Sequence, residues 1–303
     1  MDAAHKARTL SEALPYIRAF HGKTLVIRFG GAAMADPALK AGFARDVALL
    51  RLVGMKPIVV HGGGWRIEAL MRTMGLEVRR HRGHRVTDER ALTVVEMALS
   101  ELNQELTSLV NRHGGRAVGI DGQDGRFIHA RPVPRADDDP DAPDLGFVGE
   151  VESIDTGIVD LLLTRGFVPV VMPIGVAADG TTYHINSDVL AGRLARALHA
   201  EKLVLMTNIE GVHGRDGRLQ WILTATEADA LLRDGVVRDG MVPRVAAALD
   251  AVRQGVRSVH IIDGGVPSAL LLEVLTAEGV GTALRSDAGP HFFEDSRAYL
   301  LAK

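Results

Sequence analysis

Apolar and polar positions follow two alternating patterns along the chain. One pattern is a short, continuous apolar run, which is typical of parallel strands covered on both faces. The other places apolar residues three and four positions apart and mostly ends at glycine, which predicts helices. The strand-like runs span residues 23–29, 56–62, 117–121, 168–175, 202–208 and 258–263. This alternation predicts an α/β fold, with an open, mainly parallel sheet between layers of helices.

Residues 130–151 interrupt the alternation with several prolines and aspartates. Because strands and helices resume directly afterwards, we expect a surface loop or a small hairpin here, and not a linker between domains. We interpret the acidic run DDDPD within it as a solvated loop and predict no metal site.

Composition narrows the classes of function. The chain has 303 residues, 47% of them apolar, which is enough to bury a substantial core. Its 35 basic residues do not exceed its 38 acidic ones, which argues against a nucleic-acid partner. There is no cysteine, so disulfides, thiolate metal ligands and a cysteine nucleophile are excluded. No apolar stretch reaches the roughly 18 residues of a membrane helix, and we predict a cytoplasmic protein with no membrane partner.

Glycines and polar residues follow several predicted strands. FGG (29–31) ends the first strand, HGGG (61–64) ends the second, and NSD (186–188) opens a later helix. In an open α/β sheet, ligands bind beyond the carboxyl ends of the strands, and backbone N–H groups at such turns can surround an anion. The alternative is that each glycine doublet only makes a tight strand-to-helix turn. Neither turn has the spacing of a P-loop or a dinucleotide fingerprint.

Several segments, taken in order from about residue 10 to residue 284, resemble the N-acetylglutamate kinases of the amino acid kinase superfamily. They include KTLVIRFGGAAM, KPIVVHGGG, RVTD, GFVGEV, INSDVLAG, KLVLMTNIEGV and DGMVPRVAAALDAV. The resemblance implies one domain over residues 1–303 with the amino acid kinase fold, an αβα sandwich. It also implies an amino-acid half at about 23–176, a nucleotide half at about 177–284, an N-terminal helix at 1–22 and a C-terminal extension at 285–303.

The implied reaction transfers the γ-phosphoryl group of ATP, bound with Mg²⁺, to a side-chain carboxylate. The acceptor is N-acetyl-L-glutamate or a closely related acylated amino acid, and the acyl phosphate is the product of the second step of arginine biosynthesis. Such a transfer depends mainly on positioning and on neutralising negative charge. Two alternatives stay open. One is a catalytically impaired homologue that binds nucleotide or amino acid and regulates a partner, and the other is a paralogue with a shifted carboxylate substrate.

The resemblance places arginines at both positions where the family has catalytic lysines. These are Arg28, in the first strand, and Arg244, after the DGM turn, while Asp188 matches the aspartate that holds the two cations. Arginine keeps the positive charge but presents a bulkier planar fork. Since only six of the 35 basic residues are lysines, a general preference for arginine is a neutral explanation.

The resemblance also implies binding residues. Gly30 and Gly31 are predicted to contact phosphate. The residues predicted to bind the substrate are Gly63, Gly64, Arg85, His184 and Asn186. Those predicted to bind the nucleotide are Thr207, Asn208 and Met241. As alternatives, Arg85 is a surface residue paired with Asp88, and residues 186–188 are an ordinary helix cap. His184 stands where the family usually has an asparagine. It either donates a hydrogen bond to a carboxylate or becomes protonated when the anion binds.

Both ends of the chain resemble regulatory parts of the family. The N-terminal stretch is similar to the helix that joins dimers into hexamers, which implies a homodimer or a trimer of dimers. His260, Glu273 and Gly279 match positions of the inhibitor site of arginine-sensitive members. However, the family's DGR is DGG here, at residues 263–265, which puts a response to arginine in doubt.

Overall fold

The computed structural model describes residues 3–134 and 142–287, and in them most residues belong to helices or strands. The strands are β1 (Thr24–Phe29), β2 (Lys56–His61), β3 (Arg80–His81), β4 (His84–Arg85), β5 (Ala117–Ile120), β6 (Ile128–Pro132), β7 (Val148–Ile154), β8 (Val168–Val171), β9 (Ile174–Val176), β10 (Thr182–Ile185), β11 (Lys202–Thr207), β12 (Ile222–Thr224), β13 (Ser258–Asp263) and β14 (Gly281–Arg285). The helices are α1 (Ala3–Phe20), α2 (Pro37–Leu52), α3 (Gly64–Thr73), α4 (Glu89–Arg112), α5 (Gly157–Thr164), α6 (Ser187–Ala197), α7 (Ala225–Arg233), α8 (Val242–Arg253) and α9 (Ala269–Leu275).

The main sheet has eight strands in the order β12-β14-β13-β11-β1-β2-β8-β5. All neighbouring pairs are parallel except β13 and β14. The prediction of an α/β fold with a mainly parallel central sheet is therefore confirmed. Because β1 lies between β2 and β11, the carboxyl ends of these three strands are neighbours, and the turns that follow them meet at one edge.

Helices cover both faces of this sheet. Leu25, Ile27 and Phe29 of β1 point into an apolar cluster with α2, α4 and α9. Val26 points to the other side, into a cluster with α5, α6, α7 and α8. Since side chains alternate along a strand, Arg28 lies on the same face as Val26, one step beyond the core. This parity directs Arg28 towards the starts of α6 and α8.

The apolar run 168–175 is divided between two sheets, which differs from the single strand predicted for it. Its first part is β8 of the main sheet, and its last part belongs to β9. Pro173 lies at the break, and proline has no N–H group to donate to a strand ladder. The second sheet closes on itself in the order β10-β7-β6-β9. Its antiparallel strands β6 and β7 are the arms of the segment predicted as a loop or hairpin, of which residues 135–141 lie outside the described part.

The ends of the chain are described in part. The N-terminal helix predicted for residues 1–22 is α1, which ends at Phe20. Most of the extension predicted at 285–303, residues 288–303, lies outside the described residues. Within the described chain, no helix combines the length and apolarity needed to cross a membrane.

Candidate active site

Arg28 is a buried cation at the carboxyl end of β1. It is 9% exposed, and its guanidinium makes contacts in two directions. Nε lies 2.7 Å from Oδ1 of Asp188 and 3.2 Å from Oγ of Ser187, and Nη1 donates to the Met206 carbonyl at 3.1 Å. Arg28 therefore joins the first strand to the start of α6 and to the end of β11.

The start of α6 explains why Asp188 is available to pair with cations. Asn186 is the N-cap, and its side chain accepts hydrogen bonds from the N–H groups of Asp188 and Val189. This is the helix cap that we weighed as an alternative, and it leaves the carboxylate of Asp188 free for other contacts. Asp188 is 8% exposed, so its charge lies in a poorly hydrated place beside Arg28.

Arg244, in the first turn of α8, completes a cluster of three charges. Burial lowers the pKa of its guanidinium, the negative charge of Asp188 acts to raise it, and the positive charge of Arg28 lowers it further. One carboxylate thus lies close to two arginines. The structure brings together the three residues that the resemblance named as catalytic, although they are separated by more than fifty positions in sequence.

The first glycine turn leaves space for the side chains of Arg28 and Asn208. A Cβ on Gly30 would collide with the guanidinium of Arg28, so any larger residue would displace this cation. Gly31 has a φ of 77°, a left-handed conformation that favours glycine, and a Cβ there would collide with the side chain of Asn208. Both glycines therefore have packing reasons of their own. Their predicted contact with phosphate stays a prediction.

The second glycine turn borders a cavity of about 160 Å³ beside Arg28 and Asp188. The cavity is rich in basic side chains, and its wall also includes the start of α3 and the strands β4 and β10. Its lining contains all five residues predicted to bind substrate: Gly63, Gly64, Arg85, His184 and Asn186. Gly63 also has a packing role, since a Cβ there would lie 2.8 Å from Leu99 and 2.9 Å from Leu102.

Arg85 is the most buried cation of this cavity. It is 4% exposed, and its Nη2 contacts Glu68 Oε1 at 3.2 Å and the Gly64 carbonyl at 3.4 Å. The alternative of a surface arginine paired with Asp88 is wrong, because Asp88 instead caps α4 by accepting from the Ala91 N–H group. Among the described residues, the Nε of Arg85 is buried and has no hydrogen-bond partner. Such a donor is suited to a bound carboxylate.

Two histidines of the site are neutral near pH 7. Desolvation, together with the nearby charges of Arg85, Arg80 and His84, lowers the pKa of His184 to about 4. Desolvation also lowers the pKa of His61 to about 4. The Nδ1 of His61 lies 2.8 Å from the Gly62 carbonyl, to which it donates, and its Nε2 accepts from Asn103 at 3.2 Å. Without ligand, His184 thus resembles the asparagine of the family in being neutral, and His61 fixes the second glycine turn.

We expect acid to destabilise the protein through His61. The folded chain resists its protonation, so the unfolded state binds the proton first as the pH falls below about 6.5. The free energy of unfolding should then fall by up to about 3 kcal/mol between pH 6.5 and pH 4 through this residue alone. Urea unfolding at several pH values measures this slope. His61→Gln should flatten it, and the same change at the exposed His113 should not. An unchanged slope in His61→Gln would contradict the assignment.

The predicted nucleotide residues differ in their access to a ligand. Thr207 is fully buried, and its hydroxyl bonds with both the N–H and the carbonyl of Ile209. Its side chain therefore shapes the turn after β11, and its predicted contact with nucleotide stays a prediction. Asn208 is exposed and accepts from the Ala32 N–H at 2.8 Å, which holds the first glycine turn to the turn after β11. Met241 packs partly against the core beneath α8.

The predicted effector residues lie on β13, on α9 and in the segment between α9 and β14. His260 has its Nδ1 2.6 Å from Glu273, and its Nε2 is 3.0 Å from both Lys202 and Ser258. Glu273 also accepts from the N–H of Val280, next to Gly279. The three predicted positions therefore lie in one region of the fold, and Lys202 of this cluster lies 5.0 Å from the ring centroid of Phe20, the last residue of α1.

Four residues of the site were missed from the sequence: Ser187, His61, Glu68 and Arg80. Ser187 and His61 stand inside motifs that were recognised, NSD and HGGG, so their position alone was a usable signal. Glu68 and Arg80 belong to a helix face and a short hairpin rich in arginine, where a charged residue usually means a solvated surface.

The geometry agrees with comparisons to known proteins. The model of the amino acid kinase family matches residues 23–263. A relative named acetylglutamate kinase from Chromobacterium violaceum is 55% identical over 94% of this chain and 99% of its own length. Another of that name, from Methylobacillus flagellatus, is 53% identical over 93% and 97%.

Solved structures give the same fold. An N-acetylglutamate synthase from Neisseria gonorrhoeae, in complex with coenzyme A and N-acetyl-glutamate, superposes with a TM-score of 0.84 at 27% identity. The match covers 93% of this chain and 64% of that larger protein. A Giardia lamblia carbamate kinase bound to AMP-PNP has a TM-score of 0.65 at 17% identity, over 88% of this chain and 99% of its own, and shows the fold alone.

The family model covers most of the chain, and the eight-stranded sheet with a charged cluster at its edge agrees with it. The chain belongs to the amino acid kinase family. Within that family, the relatives it resembles at 50–55% identity are acetylglutamate kinases.

Proposed function

We propose that this protein is a cytoplasmic acetylglutamate kinase. It transfers the γ-phosphoryl group of MgATP to the side-chain carboxylate of N-acetyl-L-glutamate and forms an acyl phosphate. The observation that carries the proposal is the convergence of Arg28, Asp188 and Arg244 beside a cavity with a buried, incompletely paired Arg85. The identity to kinases of that name favours this function over a non-catalytic homologue.

The amino acid would bind in the cavity between the second glycine turn and β10. Its α-carboxylate would pair with Arg85, whose guanidinium is buried and is held in position by the contact with Glu68. The neutral imidazole of His184 would donate one hydrogen bond to the bound amino acid, as an amide does. The side-chain carboxylate would then extend towards Arg28 and Asp188, at the other end of the same cavity.

Phosphoryl transfer would occur between the two arginines. Both reactants are anions, so bringing them together requires fixed positive charge on either side of the transferred group. Arg28 and Arg244 supply that charge, and Asp188 reduces the repulsion between them.

MgATP enters as the second substrate, over the ends of β1 and β11. Asn208 follows β11 and accepts from the Ala32 N–H just after the first glycine turn, so the two turns meet at that edge, and a side chain on Gly31 would collide with Asn208. Mg²⁺ would reach the site with the phosphates. In the described part of the chain no group of three or more His, Asp or Glu side chains is placed to hold a metal ion alone.

The direct test is ATP-dependent formation of acyl phosphate, trapped as a hydroxamate, with N-acetyl-L-glutamate and a panel of free and acylated acidic amino acids. We expect product with N-acetyl-L-glutamate. Product only with another acid would shift the substrate and would point to His184 as the residue responsible. No product from folded protein that still binds ATP would make the regulatory homologue the better interpretation.

The quaternary structure and a response to arginine are further parts of the proposal. By resemblance, α1 would join homodimers into a hexamer, and the region around His260, Glu273 and Gly279 would bind the inhibitor. The hydrogen bonds of His260 show a preorganised polar cluster but no specificity for arginine. Light scattering and inhibition assays with and without L-arginine test both parts.

A further inference from the structure

Two arginines of the β3–β4 hairpin face the substrate cavity together. Arg80 and Arg85 are direct cross-strand partners, and residues directly opposite each other in an antiparallel pair share a face. Both line the cavity. Arg85 has 3% of its side chain exposed and Arg80 has 49%, so Arg85 lies at the floor and Arg80 at the mouth.

A single carboxylate behind the cavity wall holds this pair. Oε1 of Glu68, on α3, lies 2.8 Å from Nη2 of Arg80 and 3.2 Å from Nη2 of Arg85. The hydrogen bond from Arg80 is the largest cause of the lowered pKa of Glu68. Glu68 does not itself line the cavity. It therefore keeps two like charges side by side and leaves their other N–H groups available for other partners.

The pair has unused capacity for an anion. Each guanidinium has five N–H donors, and one glutamate cannot satisfy both groups. The buried Nε of Arg85 has no partner in the described part of the chain. Glu68 also lies 3.6 Å from Nη2 of Arg72, so three arginines share one carboxylate, and the cluster keeps an excess of positive charge that favours an anion. Both side chains also lie beside Gly64, at the N-terminus of α3, where the helix dipole favours an anion.

We propose that Arg80 is a second carboxylate-binding residue, which closes with Arg85 around the α-carboxylate of the acylated amino acid, and that Glu68 positions both arginines. The inference rests on the proposed function and adds to it a residue that sets specificity. The site then selects acylated amino acids with a free α-carboxylate. An amide or ester at that position would leave two guanidinium groups without their anion.

The test compares two ligands that differ only at the proposed contact. N-acetyl-L-glutamate has the α-carboxylate, and 4-acetamidobutanoate lacks it but keeps the acetamido group and the reacting carboxylate. Calorimetry gives the Kd of both ligands, and the hydroxamate assay gives kcat and KM. The variants are Arg80→Gln, Arg80→Lys and, as a matched control, Arg79→Gln. Arg79 is the neighbouring exposed arginine, which pairs with Glu77 instead and lies outside the cavity wall.

We expect Arg80→Gln to weaken N-acetyl-L-glutamate binding by about tenfold to a hundredfold, the effect of a lost charged hydrogen bond. KM should rise by a similar factor while kcat stays within about threefold, because Arg80 is remote from the transferred group. Binding of 4-acetamidobutanoate should change by less than about twofold. The Kd of Arg80→Lys for N-acetyl-L-glutamate should lie between those of Arg80→Gln and the unmodified protein. The Kd of Arg79→Gln should equal that of the unmodified protein.

Two results would overturn the inference. One is an unchanged Kd for N-acetyl-L-glutamate in Arg80→Gln. The other is an equal loss for both ligands, which would mean that Arg80 only supports the hairpin. Failure of the proposed function gives a different pattern, since the unmodified protein would then form no hydroxamate. The Kd comparison would still decide the role of Arg80 in that case, because it does not require turnover.

Discussion

Replacing Arg28 by alanine should lower kcat by about a thousandfold, the range found when a cation or donor that stabilises transferred charge is removed. Arg28 is buried at the end of β1, so water cannot fully substitute for its charge during transfer. KM for N-acetyl-L-glutamate should change much less, because the charge develops in the transition state. Steady-state kinetics in the hydroxamate assay measure both constants.

Arg28→Lys separates the need for charge from the need for a guanidinium. A lysine ammonium would retain the ion pair with Asp188 but lose the reach of Nη1 to the Met206 carbonyl. We expect this variant to keep kcat within about tenfold, since a compact cation can also stabilise phosphate. A lysine variant as inactive as the alanine variant would show that the site depends on the fork of arginine. An alanine variant with normal kcat would remove Arg28 from catalysis altogether.

The fold was predictable because its elements carry strong local patterns. The continuous apolar runs that became β1, β2, β11 and β13 belong to the buried middle of the sheet. The run 168–175 was harder, because apolar periodicity does not reveal that a chain leaves one sheet for another at Pro173. The second sheet depends on contacts between β6, β7, β9 and β10 that are distant in sequence, so no local pattern announces it.

The charged cluster was predictable only through resemblance. Nothing local to Arg28 or Arg244 indicates that their side chains meet, because their positions depend on strand parity and on where α6 and α8 begin. Arg80 and Glu68 were missed for a related reason. Their contact joins a helix to a two-residue strand pair, and each looks like a solvated surface charge when read alone.

Asp188→Asn should affect both stability and activity, because Asp188 is the anion between two arginines. Its Oδ1 lies 2.7 Å from Nε of Arg28, and its charge acts on Arg244. Removing it leaves two neighbouring cations that repel each other, the buried Arg28 and the partly buried Arg244. Breaking a buried ion pair in this way typically costs about 3–5 kcal/mol of unfolding free energy. Urea unfolding of the variant and the unmodified protein should show a loss of this order.

Activity should fall with stability, but the two effects are separable. Without Asp188 the arginines lose their common partner and their positions, so we expect kcat to fall by about a hundredfold or more. Adding Arg244→Gln should recover part of the unfolding free energy, since one uncompensated cation is gone, and none of kcat. Inorganic phosphate should also stabilise Asp188→Asn more than the unmodified protein, because the two freed guanidinium groups then bind the anion themselves. The prediction is contradicted if Asp188→Asn has the same free energy of unfolding as the unmodified protein and phosphate does not raise it further. Other contacts would then hold the two arginines in place, and the carboxylate would not be needed to keep two cations side by side in this site.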